Sequence, residues 1–224
     1  MIAVYALRID RNLSPKEFYR LMNMISSDKR ERMERFRCFE DAQRTLLGDV
    51  LIRVALKDRF GLPNGAIVFE TNAFGKPYLA SNPEYHFNIS HAKNYVVGAV
   101  GCSPVGIDVE AIKWADMGLA DRFFTLQEKQ YILDHPSSRR PIAFFQIWTR
   151  KEAYIKREGR GLHIPLNSFD VLSPIENTWF HLIFENDEAL CHICSCESMS
   201  PTISHHTVDG FLKHSVFNSC VSGL

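Results

Sequence analysis

The stretch Val105-Gly106-Ile107-Asp108-Val109-Glu110 constrains this chain more than any other. Ile107 and Val109 are β-branched and favour a strand, in which side chains two apart share a face. Asp108 and Glu110 therefore stand side by side, with the apolar residues turned to the opposite face. Two carboxylates held that close repel each other unless a cation lies between them or one stays protonated. A hard ion such as Mg²⁺, which keeps waters and substrate phosphates among its ligands, suits the pair. For so short a pattern, an exposed strand edge with two solvated acids is the plainer reading.

A second stretch, Trp148-Thr149-Arg150-Lys151-Glu152-Ala153-Tyr154-Ile155-Lys156, reads as a helix. Phe144, Ile147, Trp148 and Ile155 recur at helical spacing, and Gly159 and Gly161 follow as stop signals. Glu152 and Lys156 share a face, which alone would make an ordinary surface pair.

Ahead of these, residues 2–9 alternate weakly and read as a strand. Ser14-Pro15-Lys16-Glu17 forms a capping box before Phe18, Leu21, Met22 and Ile25, an amphipathic helix. Asp28 to Glu31 repeats the box pattern and opens a polar segment from Lys29 to Arg37, anchored by Met33 and Phe36. Arg44 to Phe60 is the next helix, with Leu47, Val50, Leu51 and Val54 buried and Gly61 ending it. Arg44 at its start can act with the helix-end amides on a phosphate, or equally be a surface residue. Ile67–Phe69 reads as a short strand, and Phe74-Gly75-Lys76-Pro77 as a fixed turn that projects a lysine. The phosphate-loop spacing G-x-x-x-x-G-K-[ST] is absent, which disfavours ATP hydrolysis. Tyr85–Ser90 and Tyr95–Gly101 are strands, the second apolar enough to be buried on both faces. Thr125-Leu126-Gln127-Glu128 is another capping box.

Taken together, GID-x-E followed about forty residues on by W-x-x-KE-A-x-x-K resembles the signature of the 4'-phosphopantetheinyl transferases. The match is nearest to the larger monomeric type that serves peptide synthetases. Lys29-Arg30-Glu31-Arg32, Arg44-Thr45-Leu46-Leu47-Gly48-Asp49, Phe74-Gly75-Lys76-Pro77 and Phe87-Asn88-Ile89-Ser90-His91 follow that type in order, and the resemblance runs to about residue 172. It implies transfer of the 4'-phosphopantetheine arm of coenzyme A to a serine of an apo peptidyl or acyl carrier protein, releasing 3',5'-ADP. It further implies Mg²⁺, with Mn²⁺ as a substitute, on Asp108, Glu110 and Glu152. Lys156 would neutralise a phosphate oxygen and Glu152 receive the serine proton, while Asp108 and Lys156 also face coenzyme A. Lys29, Arg32, Arg44, Gly75, Lys76, Pro77, Ser90 and His91 would hold the nucleotide end. Ile112, Trp114, Met117 and Leu119 are either loop packing or a docking patch for an apolar carrier helix.

Lys+Arg and Asp+Glu are both 26, so the net charge is zero, against a nucleic-acid partner. No run approaches a membrane span, the first residues lack a signal peptide's charged region, and six irregularly spaced cysteines suit reduced thiols. The expectation is a cytoplasmic monomer away from membranes. Ile164–Leu166 reads as loop, and Phe169–Leu172 and Trp179–Phe184 as strands. From Cys191 the pattern breaks down with no clean strand pairing, as in a diverged or frame-shifted tail. Zinc on Cys191, Cys194, Cys196, His205 and His206 matches no spacing template.

The fold class expected is α+β, in two pseudo-twofold-related halves, 1–104 and 105–224, each a small mainly antiparallel sheet packed with helices. Coenzyme A would lie between the halves. Two rival functions are a nuclease of the PD-(D/E)xK kind, whose lysine position here is Ile112, and a non-catalytic coenzyme A or carrier binder disabled by its tail.

Overall fold

The weak alternation near the N-terminus forms β1 (Ala3–Arg8), the first element of a computed structural model that describes residues 1–214. The Ser14/Glu17 capping box is made, and α1 (Pro15–Met22) follows. It stops at Met22, so Met24 and Ile25 reach the core from the turn behind it. The next helix, α2 (Ser27–Glu34), starts after Ser26, with no side-chain cap at Asp28. The long α3 (Phe39–Phe60) begins five residues before Arg44, which therefore sits in the second turn, away from the free amides. Gly61, at φ 71°, ends it in the left-handed conformation that glycine permits.

A hairpin of β2 (Phe69–Thr71) and β3 (Pro77–Leu79) holds the Phe74–Lys76 turn. The strand starts at Phe69, not Ile67, because the Ile67 amide closes a turn on Asn64 while its side chain enters the core. Then come β4 (His86–Ala92), β5 (Tyr95–Gly101) and β6 (Val105–Ala111). Three helices follow: α4 (Met117–Phe123), α5 (Leu126–Asp134), capped by Thr125 and Glu128, and α6 (Arg140–Glu158). The chain closes with β7 (Trp179–Glu185), β8 (Ala189–Ser195), β9 (Thr202–Thr207) and α7 (Val208–Lys213).

The α+β class holds. One sheet has the order β4-β5-β1-β9, antiparallel except that β9 runs parallel to β1; another, β6-β8-β7, is antiparallel throughout. Their facing sides share a core in which Val4, Ala6, Val97 and Ala99 meet Ile107, Val109, Cys191 and Ile193. Ile107 and Val109 thus point between the sheets, and the carboxylates of β6 turn the other way, toward α6. A second core surrounds α3, and a third lies beneath α4 to α6.

Two sequence expectations are corrected here. Residues 169–172 form no strand: the Val171 amide binds Glu128 and Asp170 binds Thr125, so side chains replace the ladder. The region after Cys191 is not unpaired either. The central strand β8 is buried along its whole length, so it lacks the alternation of a half-buried strand. Cys191 and Cys194 are buried in it, Cys196 is exposed beyond it, and His205 and His206 lie on β9. The last ten residues of the tail lie outside the described residues.

Candidate active site

Asp108 is 3% exposed at the centre of β6. Its Oδ1 accepts from Ser90 Oγ at 3.0 Å and from Lys156 Nζ at 2.5 Å, while the buried Oδ2 finds no hydrogen-bond partner among the described residues. Burial pushes this carboxyl up from its ordinary range, against the pull of Lys156.

The helix that supplies Lys156 packs against β6 through Gly106. A Cβ there would collide with the Ala153 carbonyl oxygen and the Arg157 nitrogen, so only glycine admits the approach. This contact brings Glu152 and Lys156 to the Asp108 face. Glu152 is pushed up to about 7 by burial and then by the Asp108 charge. Glu110 is raised by burial and then by Asp108, while Trp148 Nε1 donates to its Oε1 at 3.3 Å.

The three carboxylates therefore sense one another, yet among the described residues no three His, Cys, Asp or Glu side chains are arranged to hold a metal ion. The Lys156 ammonium supplies the positive charge next to Asp108. The donor set still suits a hard dication: carboxylates only, all three with raised affinity for protons, and one buried oxygen without a partner.

Ser90 is joined to this group rather than standing apart. Its Oγ donates to Asp108 and accepts from Lys156 Nζ at 3.0 Å and from the Val109 amide at 3.3 Å. Two residues earlier, Asn88 Oδ1 accepts from the Ile107 amide at 2.8 Å. Side chains of β4 thus stand in for a neighbouring strand along the edge of β6. Asn88 was not among the expected site residues; its i, i+2 spacing from Ser90 was the available signal. Gly106 and Trp148 were read only as parts of motifs. Lys151, inside the helical motif, lies away from the site: it is fully buried against Glu128, with Nζ donating to the Leu166 and Phe169 carbonyls at 2.7 Å.

Two cavities flank Ile89 of β4. One of about 390 Å³ is lined by Gly75, Lys76, Pro77, Glu152, Lys156 and Leu162, among others. The other, of about 240 Å³, is lined by Lys29, Met33, Thr45, Asp49 and His91, among others. Lys29 there pairs with the buried Asp49, which Arg53 also holds. His91 is held below its ordinary value by burial and by Arg44 and Lys156. Arg44 itself lines a separate polar recess, bonded to Asp41 and to the Lys93 carbonyl. Arg32 is exposed and does not line the Lys29 cavity. Of the apolar residues after β6, Ile112 and Met117 pack on the core, while Trp114 is 74% exposed and borders a recess with Glu110, Leu119 and Trp148.

Comparison with known proteins bears on this geometry. A family model described as "4'-phosphopantetheinyl transferase superfamily" matches residues 104–206, and one described as "4'-phosphopantetheinyl transferase, N-terminal" matches 12–103. The chain is 42% identical over 168 residues to the 4'-phosphopantetheinyl transferase ffp of Bacillus subtilis, covering 75% of each. It is also 42% identical over 168 residues to the 4'-phosphopantetheinyl transferase Sfp of Bacillus subtilis (strain 168), again 75% of each. To the 4'-phosphopantetheinyl transferase gsp of Aneurinibacillus migulanus it is 32% identical over 216 residues, 93% of this chain and 90% of that one.

Proposed function

This chain belongs to the 4'-phosphopantetheinyl transferase superfamily, and from that premise we propose that it moves the phosphopantetheine arm of coenzyme A onto a serine of an apo peptidyl or acyl carrier domain. The observation that carries the reading is the buried Asp108 carboxylate, bonded on one oxygen by Ser90 and Lys156 and open on the other, beside a cavity lined by Glu152 and Lys156.

In the proposed reaction the serine oxygen bonds to the phosphorus attached to pantetheine. The bond from that phosphorus to the oxygen of the nucleotide phosphate breaks, and 3',5'-ADP leaves. The serine proton goes to Glu152, which lines the cavity beside Asp108. Lys156 turns from Asp108 to a phosphate oxygen, and positioned charge of this kind carries most of the catalysis in phosphoryl transfer. Asp108, Glu110 and Glu152 would hold Mg²⁺, which would spread the charge that develops on the phosphates.

Coenzyme A would lie at the junction between the sheet β4-β5-β1-β9, which takes its last strand from the second half of the chain, and the sheet β6-β8-β7, with Lys29, Arg44, Gly75, Pro77, Ser90 and His91 toward its nucleotide end. Trp114 and Leu119, exposed beside Glu110, would receive an apolar face of the carrier. The decisive experiment is the intact mass of an apo carrier domain incubated with the protein, coenzyme A and Mg²⁺. A gain of one phosphopantetheine is expected, and none with Asp108→Ala; no gain with the unaltered chain refutes the assignment. Of the described residues, no helix is long and apolar enough to cross a membrane.

A further inference from the structure

Lys76 stands in the turn between β2 and β3, yet its ammonium points out of the hairpin into the second sheet. Its Nζ donates to the Arg157 carbonyl at 2.9 Å and to the Val105 carbonyl at 3.3 Å. Arg157 lies in the last turn of α6, where carbonyls lack intrahelical partners and the helix dipole favours a cation. Val105 opens β6. One side chain therefore bonds both elements that carry the carboxylates, at the end where Gly106 brings them together.

The rest of the turn is built to present that lysine. Asn72 Oδ1 accepts from the Phe74 and Lys76 amides at 2.9 Å each, which closes the turn on itself. Asn72 Nδ2 then donates to the Gly159 carbonyl at 2.9 Å, a second tie to the end of α6. Gly159, at φ 69°, has no side chain, and a Cβ there would come within 2.7 Å of Lys76 Cδ. The cap of α6 is thus shaped around the lysine stem. Burial of the ammonium lowers its pKa to about 8, as for a group engaged inside the protein.

We propose that Lys76 is a positioning residue: its ammonium, held between the Val105 and Arg157 carbonyls, sets the spacing of β6 and α6 and so the stance of Asp108 and Glu110 toward Glu152 and Lys156. This assignment rests on the transferase reading for its catalytic consequence, and replaces a direct contact between Lys76 and a ligand phosphate.

Lys76→Met keeps the stem and removes the charge. Its test combines calorimetric binding of coenzyme A without metal, amide hydrogen exchange, and transfer kinetics. The expected result has three parts. Binding stays within about threefold of the unaltered protein, and exchange over 105–108 and 155–159 quickens about tenfold, as for the loss of charged hydrogen bonds. The turnover number falls while KM for coenzyme A holds. Binding weakened by more than about threefold overturns the proposal, because a phosphate ligand would behave that way; so does unchanged exchange. Should Lys76→Met not fold, Lys76→Leu, which likewise lacks a donor, is judged by the same criteria. Absence of transfer by the unaltered protein would count against the function alone, since the exchange arm judges the clamp without it.

Discussion

Ser90 on β4 donates to Asp108 on β6 at 3.0 Å, although the two strands belong to different sheets. The same hydroxyl accepts from the Val109 amide, so it serves the backbone of β6 as well as the carboxylate. Ser90→Ala leaves a buried amide and a buried carboxylate oxygen short of a partner, and the expected loss of stability is about 1–3 kcal/mol. Urea unfolding measures it. A variant as stable as its parent would show that the hydroxyl matters only to a ligand.

Gly106 carries the closest backbone approach in the site. Gly106→Ala places a methyl group against backbone atoms of α6, which cannot rotate aside. Overpacking of this kind costs about 1–3 kcal/mol, occasionally more. Because α6 must shift to make room, transfer should fall further than the lost stability explains. Retained turnover in a variant of unchanged melting temperature would contradict the contact.

The Lys151–Glu128 pair is fully buried and joins α6 to α5. Removing one partner strands a charge, so Lys151→Met should destabilise by about 3–5 kcal/mol. The measurement is chemical denaturation, and a Lys151→Met variant as stable as its parent would refute the account.

His192, on β8 directly across from Asp108 in register, is 2% exposed. Thr149 gives its hydroxyl proton to the Phe145 carbonyl, so its Oγ accepts from His192 Nδ1 at 2.8 Å, and Arg150 Nε donates to Nε2 at 3.4 Å. Burial, and then Arg150, hold the imidazole neutral down to about 3. Its ordinary value is 6.5, so between 6.5 and 3 the unfolded chain binds a proton that the folded chain refuses. The stability contributed by the neutral ring is complete above 6.5 and is lost as pH falls, at about 1.4 kcal/mol per pH unit. His192→Gln should flatten the stability–pH curve by that slope between pH 6 and pH 4, roughly the window that linkage defines. Parallel curves for the two proteins would sink the assignment.

Much of this was legible in the residues. The β5 strand was recognisable from its unbroken apolar run, and the caps at Ser14 and Thr125 from their i, i+3 pairs. The acidic pair showed through strand periodicity, and the Glu152/Lys156 face through helical periodicity. The start of α3 was misplaced because Phe39 to Gln43 carries no cap signal, and the Cys38 side chain caps no helix amide, donating to Glu40 instead. The strand after Cys191 was missed because a strand buried on both faces has no alternation to detect.

What the sequence determined by itself was local: which segments extend or coil, which side chains share a face, and which chemistry those faces offer. Only the tertiary structure decided that Lys156 answers Asp108, that Lys151 is buried away from the site, and that Lys76 bonds carbonyls of two other elements. The reason is physical. Periodicity sets a side chain's direction relative to its own strand or helix, whereas its partner depends on how closely separate elements can pack, and here the close approach is admitted by a glycine at position 106.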